Sequence, residues 1–418
     1  MSTEAAYPRA SNFVWRDALI LVGTLGGAYG ISQFLRNSIG VIAPNLAAEL
    51  NLSASEIGLL SSLFFFSFSA AQIPLGLALD RYGPRRCMLA CAVVAVVGAV
   101  LFAWAPSPGW LITARVLLGL GSSCYFMAPL ALYAKRFPPD RFATVASFQY
   151  GLGTLGTLLA TAPFAWAVSV FGWRACFMAV AAAMVAAGLL IAVIVREDPK
   201  DREQTAPRLR ESLRGMLAAM RTPSFWPVFA MHFITYSSFV IVVGLWGGPY
   251  LTHIYGYSLT ERGNMLLVAV VAQVIGALLW GPSDRWFRSY KIPVMIGALL
   301  TAATMAAGAI VGVFPGYSLF VWFVVIGLAT GYLPVLVAHG KSLFPTELVG
   351  RGITLLNLAT MGGVFVSQTL SGFVIDLFPA AGEGYALSAY RSVFGLQTGI
   401  ILLGCLAYFY SYDPRSKL

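Results

Sequence analysis

Long apolar runs separated by short polar turns set the pattern of this 418-residue chain. Runs of about 20 residues or more, enough for a helix to cross roughly 30 Å of hydrocarbon, fall near 17–43, 54–79, 86–106, 109–134, 141–168 and 173–195. Six more fall near 224–252, 261–284, 292–314, 316–340, 350–378 and 388–411. The pattern predicts an all-α integral membrane protein of twelve helices. Between the sixth and seventh runs, Arg196 to Arg221 includes Glu197-Asp198-Pro199-Lys200-Asp201-Arg202-Glu203 and reads as a surface linker with a short helix. The expected division is a six-helix bundle over 1–195, a linker over 196–222 and a second six-helix bundle over 223–418.

The two halves repeat one another. Asp80-Arg81 ends the second run and Asp284-Arg285 ends the eighth, the matching place in the second half. Lys135-Arg136-Phe137-Pro138 after the fourth run is echoed by Lys341-Ser342-Leu343-Phe344-Pro345 after the tenth. Gly151, Gly153 and Gly156 in the fifth run correspond to Gly362 and Gly363 in the eleventh. Parallel repeats about an axis along the membrane normal place a site between the halves.

Composition agrees with the pattern: 58% of residues are hydrophobic and 11% charged, against roughly 25% charged in a soluble domain. The net charge of +10 raises the question of nucleic acid, and the distribution of the basic residues answers it. With the N-terminus inside, Arg81, Arg85, Arg86, Lys135, Arg136, Arg285, Arg288 and Lys291 all fall in inner segments, as do the linker arginines. Outer segments hold only Arg174, Arg262 and Arg391. This is a positive-inside bias with both termini cytoplasmic, and it argues against nucleic-acid binding. The five cysteines, Cys87, Cys91, Cys124, Cys176 and Cys405, sit inside apolar runs without metal-ligand spacing, so no metal and no cofactor are expected. The first 16 residues carry no signal-peptide pattern, and the first span is expected to direct insertion.

Charge inside the runs is the main chemical clue. Arg36 lies seven residues before the end of the first run at Ala43, and Arg115 six after the start of the fourth at Gly109. At about 1.5 Å per residue, both are expected roughly 10 Å below the outer surface. A mid-membrane arginine costs at least about 2.5–3.5 kcal/mol and so requires a reason. No Asp or Glu lies deep in any run: Asp17, Asp80, Asp284 and Asp376 are all near ends. Two guanidiniums facing one cavity would make it net positive, and their planar forks suit carboxylate or phosphate. The competing reading for each is a structural arginine bonding helix carbonyls. Tyr29, Gln33 and Arg36 share a face at i, i+4 and i+7. His232 and Tyr236 lead a face of the seventh run; either His232 is a proton-sensitive ligand or it is a hydrogen-bonded core residue. Tyr332, Gln149, Gln273, Asn357 and Gln368 are polar enough to line a pathway. The Gly-Leu-Gly segments at Gly119–Gly121 and Gly151–Gly153 lie within spans, where helix packing explains them. No zinc spacing or serine-histidine-aspartate arrangement points to an enzyme.

The segment Gly76-Leu77-Ala78-Leu79-Asp80-Arg81-Tyr82-Gly83-Pro84-Arg85-Arg86 resembles the loop signature of the major facilitator superfamily. In physical terms Gly76 is expected to let helices approach, Gly83 and Pro84 to reverse the chain, and the arginines to hold the turn at the membrane surface. The resemblance implies that Asp80 faces the N-terminus of the eleventh helix near Gly350 and acts as a gate. In the second-half copy at Asp284-Arg285, Trp280 and Phe287 stand where glycines would fall. Arg115-Val116-Leu117-Leu118-Gly119-Leu120-Gly121 and Phe171-Gly172-Trp173-Arg174 are similar to two further signatures of that superfamily.

Within it, Arg36-Asn37, Pro44, Glu49-Leu50, Ser55-Glu56-Ile57-Gly58 and Gln72-Ile73-Pro74-Leu75-Gly76 resemble the organophosphate antiporter and anion:cation symporter branches. Leu245-Trp246-Gly247-Gly248-Pro249-Tyr250 gives softer support. The resemblance implies that Arg36 contacts an anionic substrate. The second arginine that the organophosphate antiporters carry in the seventh span is absent here.

The expectation is a monomeric secondary transporter in a bacterial inner membrane. It would move a small organic anion (a carboxylate, sugar acid or phosphate ester) by rocking of two halves, coupled to a proton or a counter-anion. One alternative is a proton-driven exporter of drugs or metabolites, although the fifth run has Ala162-Pro163 without the glycine-proline and double-glycine pattern of many exporters. The other is a membrane sensor that keeps the transporter fold.

Overall fold

The computed structural model describes residues 15–137, 139–196, 209–345, 347–381 and 384–415. Residues 197–208 of the linker therefore lie outside the described residues. The first half comprises α1 (Trp15–Leu50), α2 (Ala54–Tyr82), α3 (Pro84–Ala103), α4 (Pro108–Ser122), α5 (Met127–Arg136), α6 (Pro139–Leu159) and α7 (Ala162–Ile194). After it comes the amphipathic linker helix α8 (Leu209–Met220). The second half comprises α9 (Phe225–Ile241), α10 (Gly247–Tyr255), α11 (Leu259–Trp280), α12 (Ser283–Trp286), α13 (Lys291–Val311), α14 (Tyr317–Ala329), α15 (Leu333–Ser342), α16 (Val349–Asp376) and α17 (Leu387–Phe409).

Local chemistry explains where these helices begin and break. Ser53 and Glu56 form a capping box at the start of α2, and Ser258 and Glu261 form one at the start of α11. Pro84 and Pro108 stand at the first position of α3 and α4, where a missing N–H costs nothing. The turn before α3 passes through Gly83 at φ 81°, a region that favours glycine. A π-helical turn, Val242–Trp246, joins α9 to α10 directly before Gly247-Gly248-Pro249. Pro249 has no N–H to give the helix, and the wider turn absorbs the change of register.

Eleven described helices are long and apolar enough to cross a membrane. The chain makes twelve crossings, because α7 is not one helix. It leaves helical geometry at Gly172 (φ 77°, ψ 157°). Ala162–Phe171 continues α6 across a one-turn break at Ala160 and Thr161, while Trp173–Ile194 is the sixth crossing. Pieces combine likewise into the fourth crossing (α4, α5), the seventh (α9, α10) and the tenth (α14, α15). Among the described residues the only strands are β1 (Ala380–Ala381) and β2 (Gly384–Tyr385), a two-residue antiparallel ladder between the last two crossings.

The face where α1 begins and α2 ends is here called proximal, and the opposite face distal. On the distal side the two halves are packed together. Gly40 of α1 crosses Gly248 of α10 so closely that a Cβ on either would overlap the other strand of backbone, at Val243 O or Gly40 O. Gly58 of α2 meets Gly372 of α16 in the same manner. Asp376, at the end of α16, accepts the backbone N–H groups of Ala54 (3.1 Å) and Ser55 (2.8 Å) at the start of α2. Arg262 of α11 bonds Asn45 of α1. Deeper in, Thr369 donates to Ser62 (2.9 Å), and the rings of Phe66 and Phe365 lie 5.0 Å apart.

Candidate functional site

Below the Ser62–Thr369 level the halves separate around a cavity of about 550 Å³. α1 supplies Tyr29, Gln33 and Arg36, whose i, i+4, i+7 spacing puts them on one face. α2 supplies Phe68 and Gln72, α6 supplies Tyr150, and the α4–α5 junction supplies Ser123, Phe126 and Met127. From the second half come His232 and Tyr236 of α9, Leu333, Pro334 and Val337 of α15, and Ile353, Leu356, Asn357, Thr360 and Met361 of α16. A larger groove between α1, α6 and α7, about 770 Å³, is lined by residues such as Gly27, Phe34, Leu155 and Phe171, without a charged side chain among the described residues. It offers nothing to hold a polar ligand.

Arg36 is the one charged side chain among the described residues that line the cavity. It is 6% exposed, its Cζ lies 4.3 Å from the centre of the Phe68 ring, and its buried Nε has no hydrogen-bond partner. The ion pairs among the described residues join Arg174 to Glu49 and Arg415 to Asp284, and neither involves Arg36. The phenols of Tyr29, Tyr150 and Tyr236 lie within electrostatic reach of the guanidinium. Unpaired by acid and close to three phenols, the guanidinium has the donor geometry that suits a carboxylate or phosphate. Nearby, Gln33 Oε1 and Asn37 Oδ1 also lack partners.

Arg115 does not share this cavity. It is fully buried, donates from Nε to Leu60 O (3.1 Å) and from Nη1 to Leu35 O (2.8 Å), and stacks 4.7 Å from the Phe64 ring. Its bond to residue 35 sets it level with Arg36, yet its Nε and Nη1 bond backbone carbonyls that tie α4 to α1 and α2, while its buried Nη2 has no hydrogen-bond partner. The expected second guanidinium is thus a strut. α1 continues to Leu50, past the end of the apolar run at Ala43 and 14 residues beyond Arg36.

His232, 2% exposed, has Nδ1 3.1 Å from Thr360 Oγ1. Thr360 Oγ1 also lies 3.0 Å from Leu356 O, and which partner donates in the His232 contact follows from the imidazole tautomer. Tyr332 stands behind the cavity wall, 1% exposed, with its hydroxyl 3.3 Å from Thr235 Oγ1. It does not line the space, contrary to expectation. Gln149 is structural as well: its amide donates to Leu25 O (3.2 Å) and Tyr125 O (3.1 Å) and accepts from Tyr133 (2.9 Å). The next residue, Tyr150, lines the cavity instead. Gln368 is buried where α16 crosses α2, and neither it nor Gln273 reaches the space. Sequence reasoning missed Phe68, Gln72, Ser123, Tyr150 and Thr360. Of these only Gln72, a lone amide in an apolar run, carried a visible signal.

The loop expected to gate the protein is partly rearranged from the sequence reading. Asp80 lies in the last turn of α2, and its side chain is outside the described residues. Gly76 is exposed, and a Cβ there would meet nothing within 4 Å, so in this conformation it permits no close helix approach. Arg81 lies over the Tyr82 ring (5.3 Å), and Arg85 donates to Ala192 O (2.6 Å) at the end of α7. Arg86 is exposed. In the second-half copy, Asp284 is held by Arg415 of the C-terminal tail, while Arg285 is exposed. The tail is fixed further by Asp413, which sits near Ser289 Oγ and accepts from Lys291 N (3.2 Å) and Arg415 N (3.0 Å).

Comparisons with known proteins agree with this architecture. A probable sulfoacetate transporter of Cupriavidus necator is 26% identical over 67% of this chain and 68% of its own length. The hexuronate transporter of Escherichia coli K12 is 22% identical over 92% of both chains. Among solved structures, a bacterial homolog to the human lysosomal transporter Spinster, in an inward-facing and unoccupied conformation, superposes with a TM-score of 0.76 at 18% identity, covering 96% of this chain and 97% of that one. The family model of the Major Facilitator Superfamily matches residues 25–259 and 228–418, and the chain belongs to that superfamily of membrane transporters.

Proposed function

We propose that this protein is a secondary active transporter of a small organic anion, a carboxylate, sugar acid or phosphate ester, whose charged group docks on Arg36. One observation carries the reading: a buried guanidinium with no acid partner faces a cavity between the two halves. Burial of such a charge is tolerated when function supplies its counter-ion. The printed names of the relatives, a hexuronate transporter and a probable sulfoacetate transporter, point to the same chemistry.

In this proposal the halves 1–195 and 223–418 rock about the site. The proximal face, rich in arginine, is the cytoplasmic one by the positive-inside rule, and the membrane is a bacterial inner membrane. The conformation described, packed distally, is then inward-open. Asp80 and the arginines of its loop gate the proximal side against α16, and the protein works as a monomer. Because the cavity lining contains no described carboxylate, the coupling species is a counter-anion or a proton that travels with the substrate.

Counterflow in proteoliposomes tests this. Vesicles preloaded with a panel of carboxylates, sugar acids and phosphate esters should accumulate the labelled anion, while neutral sugars of equal size should not exchange. The aromatic lining, with Phe68, Phe126, Tyr29, Tyr150 and Tyr236, favours one second reading, a proton-driven exporter of amphipathic drugs or metabolites. Flux of neutral or cationic compounds with no anion exchange would select it. Anion binding without any flux would select a sensor.

A further inference from the structure

We propose that the cavity selects by charge number as well as sign: it accepts monoanions and discriminates against dianions, phosphate monoesters and dicarboxylates included. The inference rests on the anion reading above and narrows it. Among the described residues the cavity holds a single guanidinium, because Arg115, the other arginine at that level, does not line it and is fully buried with Nε and Nη1 on Leu60 O and Leu35 O. The wall contributed by the second half is neutral. Asn357 offers an amide, Tyr236 a phenol, and His232 an imidazole whose Nδ1 contacts Thr360 and whose Nε2 is buried beside Gly340.

The remaining lining is largely apolar, for example Phe68, Leu333, Pro334 and Met361. A first carboxylate exchanges water for the Arg36 fork and adjacent phenols. A second carboxylate on the same small molecule loses its water and meets only neutral dipoles or apolar side chains. The attraction it gains from Arg36 at a distance does not offset that loss, because a low-dielectric site penalises any charge without a partner. Polar but uncharged substituents, such as the hydroxyls of a sugar acid, suit Asn357 and the tyrosines.

The test compares size-matched probes on the full-length purified protein at pH 8, where an ordinary imidazole, titrating near 6.5, is neutral. Gluconate is set against glucarate and glucose 6-phosphate, and butyrate against succinate. Binding is read by thermal shift and by competition in counterflow, in the wild type, Arg36→Ala and Asn357→Arg. The expected result is that at least one monoanion binds in an Arg36-dependent manner, its dianionic counterpart binds at least tenfold more weakly, and Asn357→Arg narrows or reverses the gap. Dianions binding as tightly as monoanions, still dependent on Arg36, would overturn the charge-number rule and leave the anion transporter intact. If no anion of either charge binds, or binding is indifferent to Arg36, the anion site itself is wrong and this inference falls with it.

Discussion

Replacing Asp376 with asparagine should loosen the distal closure. Its two carboxylate oxygens accept the N–H groups of Ala54 and Ser55 at 3.1 and 2.8 Å, reaching from the end of α16 to the start of α2 in the other half. The α2 N-terminus is otherwise self-sufficient: Ser53 Oγ takes Glu56 N (3.2 Å), and Ser53 O takes Ile57 N (3.1 Å). Asp376 therefore completes the capping of one half only while the distal side is shut. A carboxylate at a helix N-terminus contributes about 0.3–1 kcal/mol when exposed and up to about 2 when partly buried.

Here the charge also receives two direct hydrogen bonds, so about 2 kcal/mol is a fair magnitude, or roughly a 30-fold change in the closed-to-open ratio. Ser62 is buried at the crossing. A cysteine placed there, in a background lacking the five native cysteines, reports distal opening through its rate of labelling by a membrane-impermeant maleimide. Asp376→Asn should raise that rate by about an order of magnitude or more. A rate within twofold of the parent would show that the carboxylate does not hold the closure.

Three further changes probe other parts of the account. Arg115→Met should lower stability by about 1–3 kcal/mol, the cost of leaving buried acceptors unmet, seen as a lower melting temperature with anion affinity retained in the folded fraction; lost affinity at unchanged melting temperature would return Arg115 to the site. Gly40→Leu should prevent distal packing, since its side chain would overlap Val243 O, so transport stops while the Ser62→Cys reporter labels rapidly. Normal transport by Gly40→Leu would contradict the packing argument. At Asp413 burial pushes the carboxyl up, but hydrogen bonds from Ser289 and the backbone of Lys291, Arg415 and Tyr290 outweigh it and hold it below the usual range. A depressed folded value stabilises above the unfolded value near 3.9 and loses that stabilisation as pH falls through the folded one. Protease protection of the tail should therefore fall below about pH 4, and Asp413→Asn should abolish that dependence; a midpoint near neutrality would implicate another group.

Most of the helices were legible because membrane-length apolar runs leave few alternatives. What escaped was local backbone geometry. The break at Gly172 and the π turn before Pro249 sit inside continuous apolar sequence, where hydropathy has no contrast to read. The extension of α1 to Leu50 passes through Pro44 and a polar end that the apolar pattern discounted. At the site, Tyr29, Gln33 and Arg36 were legible because they lie on one helix, where spacing alone fixes a shared face. Arg115 was not, because its role depends on which carbonyls of α1 and α2 come within reach of its fork, a tertiary fact. Gln149 and Tyr150 make the same point at adjacent positions: polarity selected the first, and rotation about the α6 axis put the second in the cavity. Asp376 drew notice only as an acid near a helix end. Its partners are more than 300 residues away in sequence.

The most direct test of the central claim is substrate uptake by Arg36→Ala in proteoliposomes, alongside its melting temperature. Removing one partner of a buried, hydrogen-bonded charge pair costs about 2–5 kcal/mol, equivalent to roughly 30-fold to several-thousand-fold in affinity. Arg36→Ala should fold, melt near the wild-type temperature, and lose anion uptake, with Arg36→Lys recovering only part of it because the fork is gone. Uptake by Arg36→Ala at the wild-type rate and affinity would contradict the account at its base.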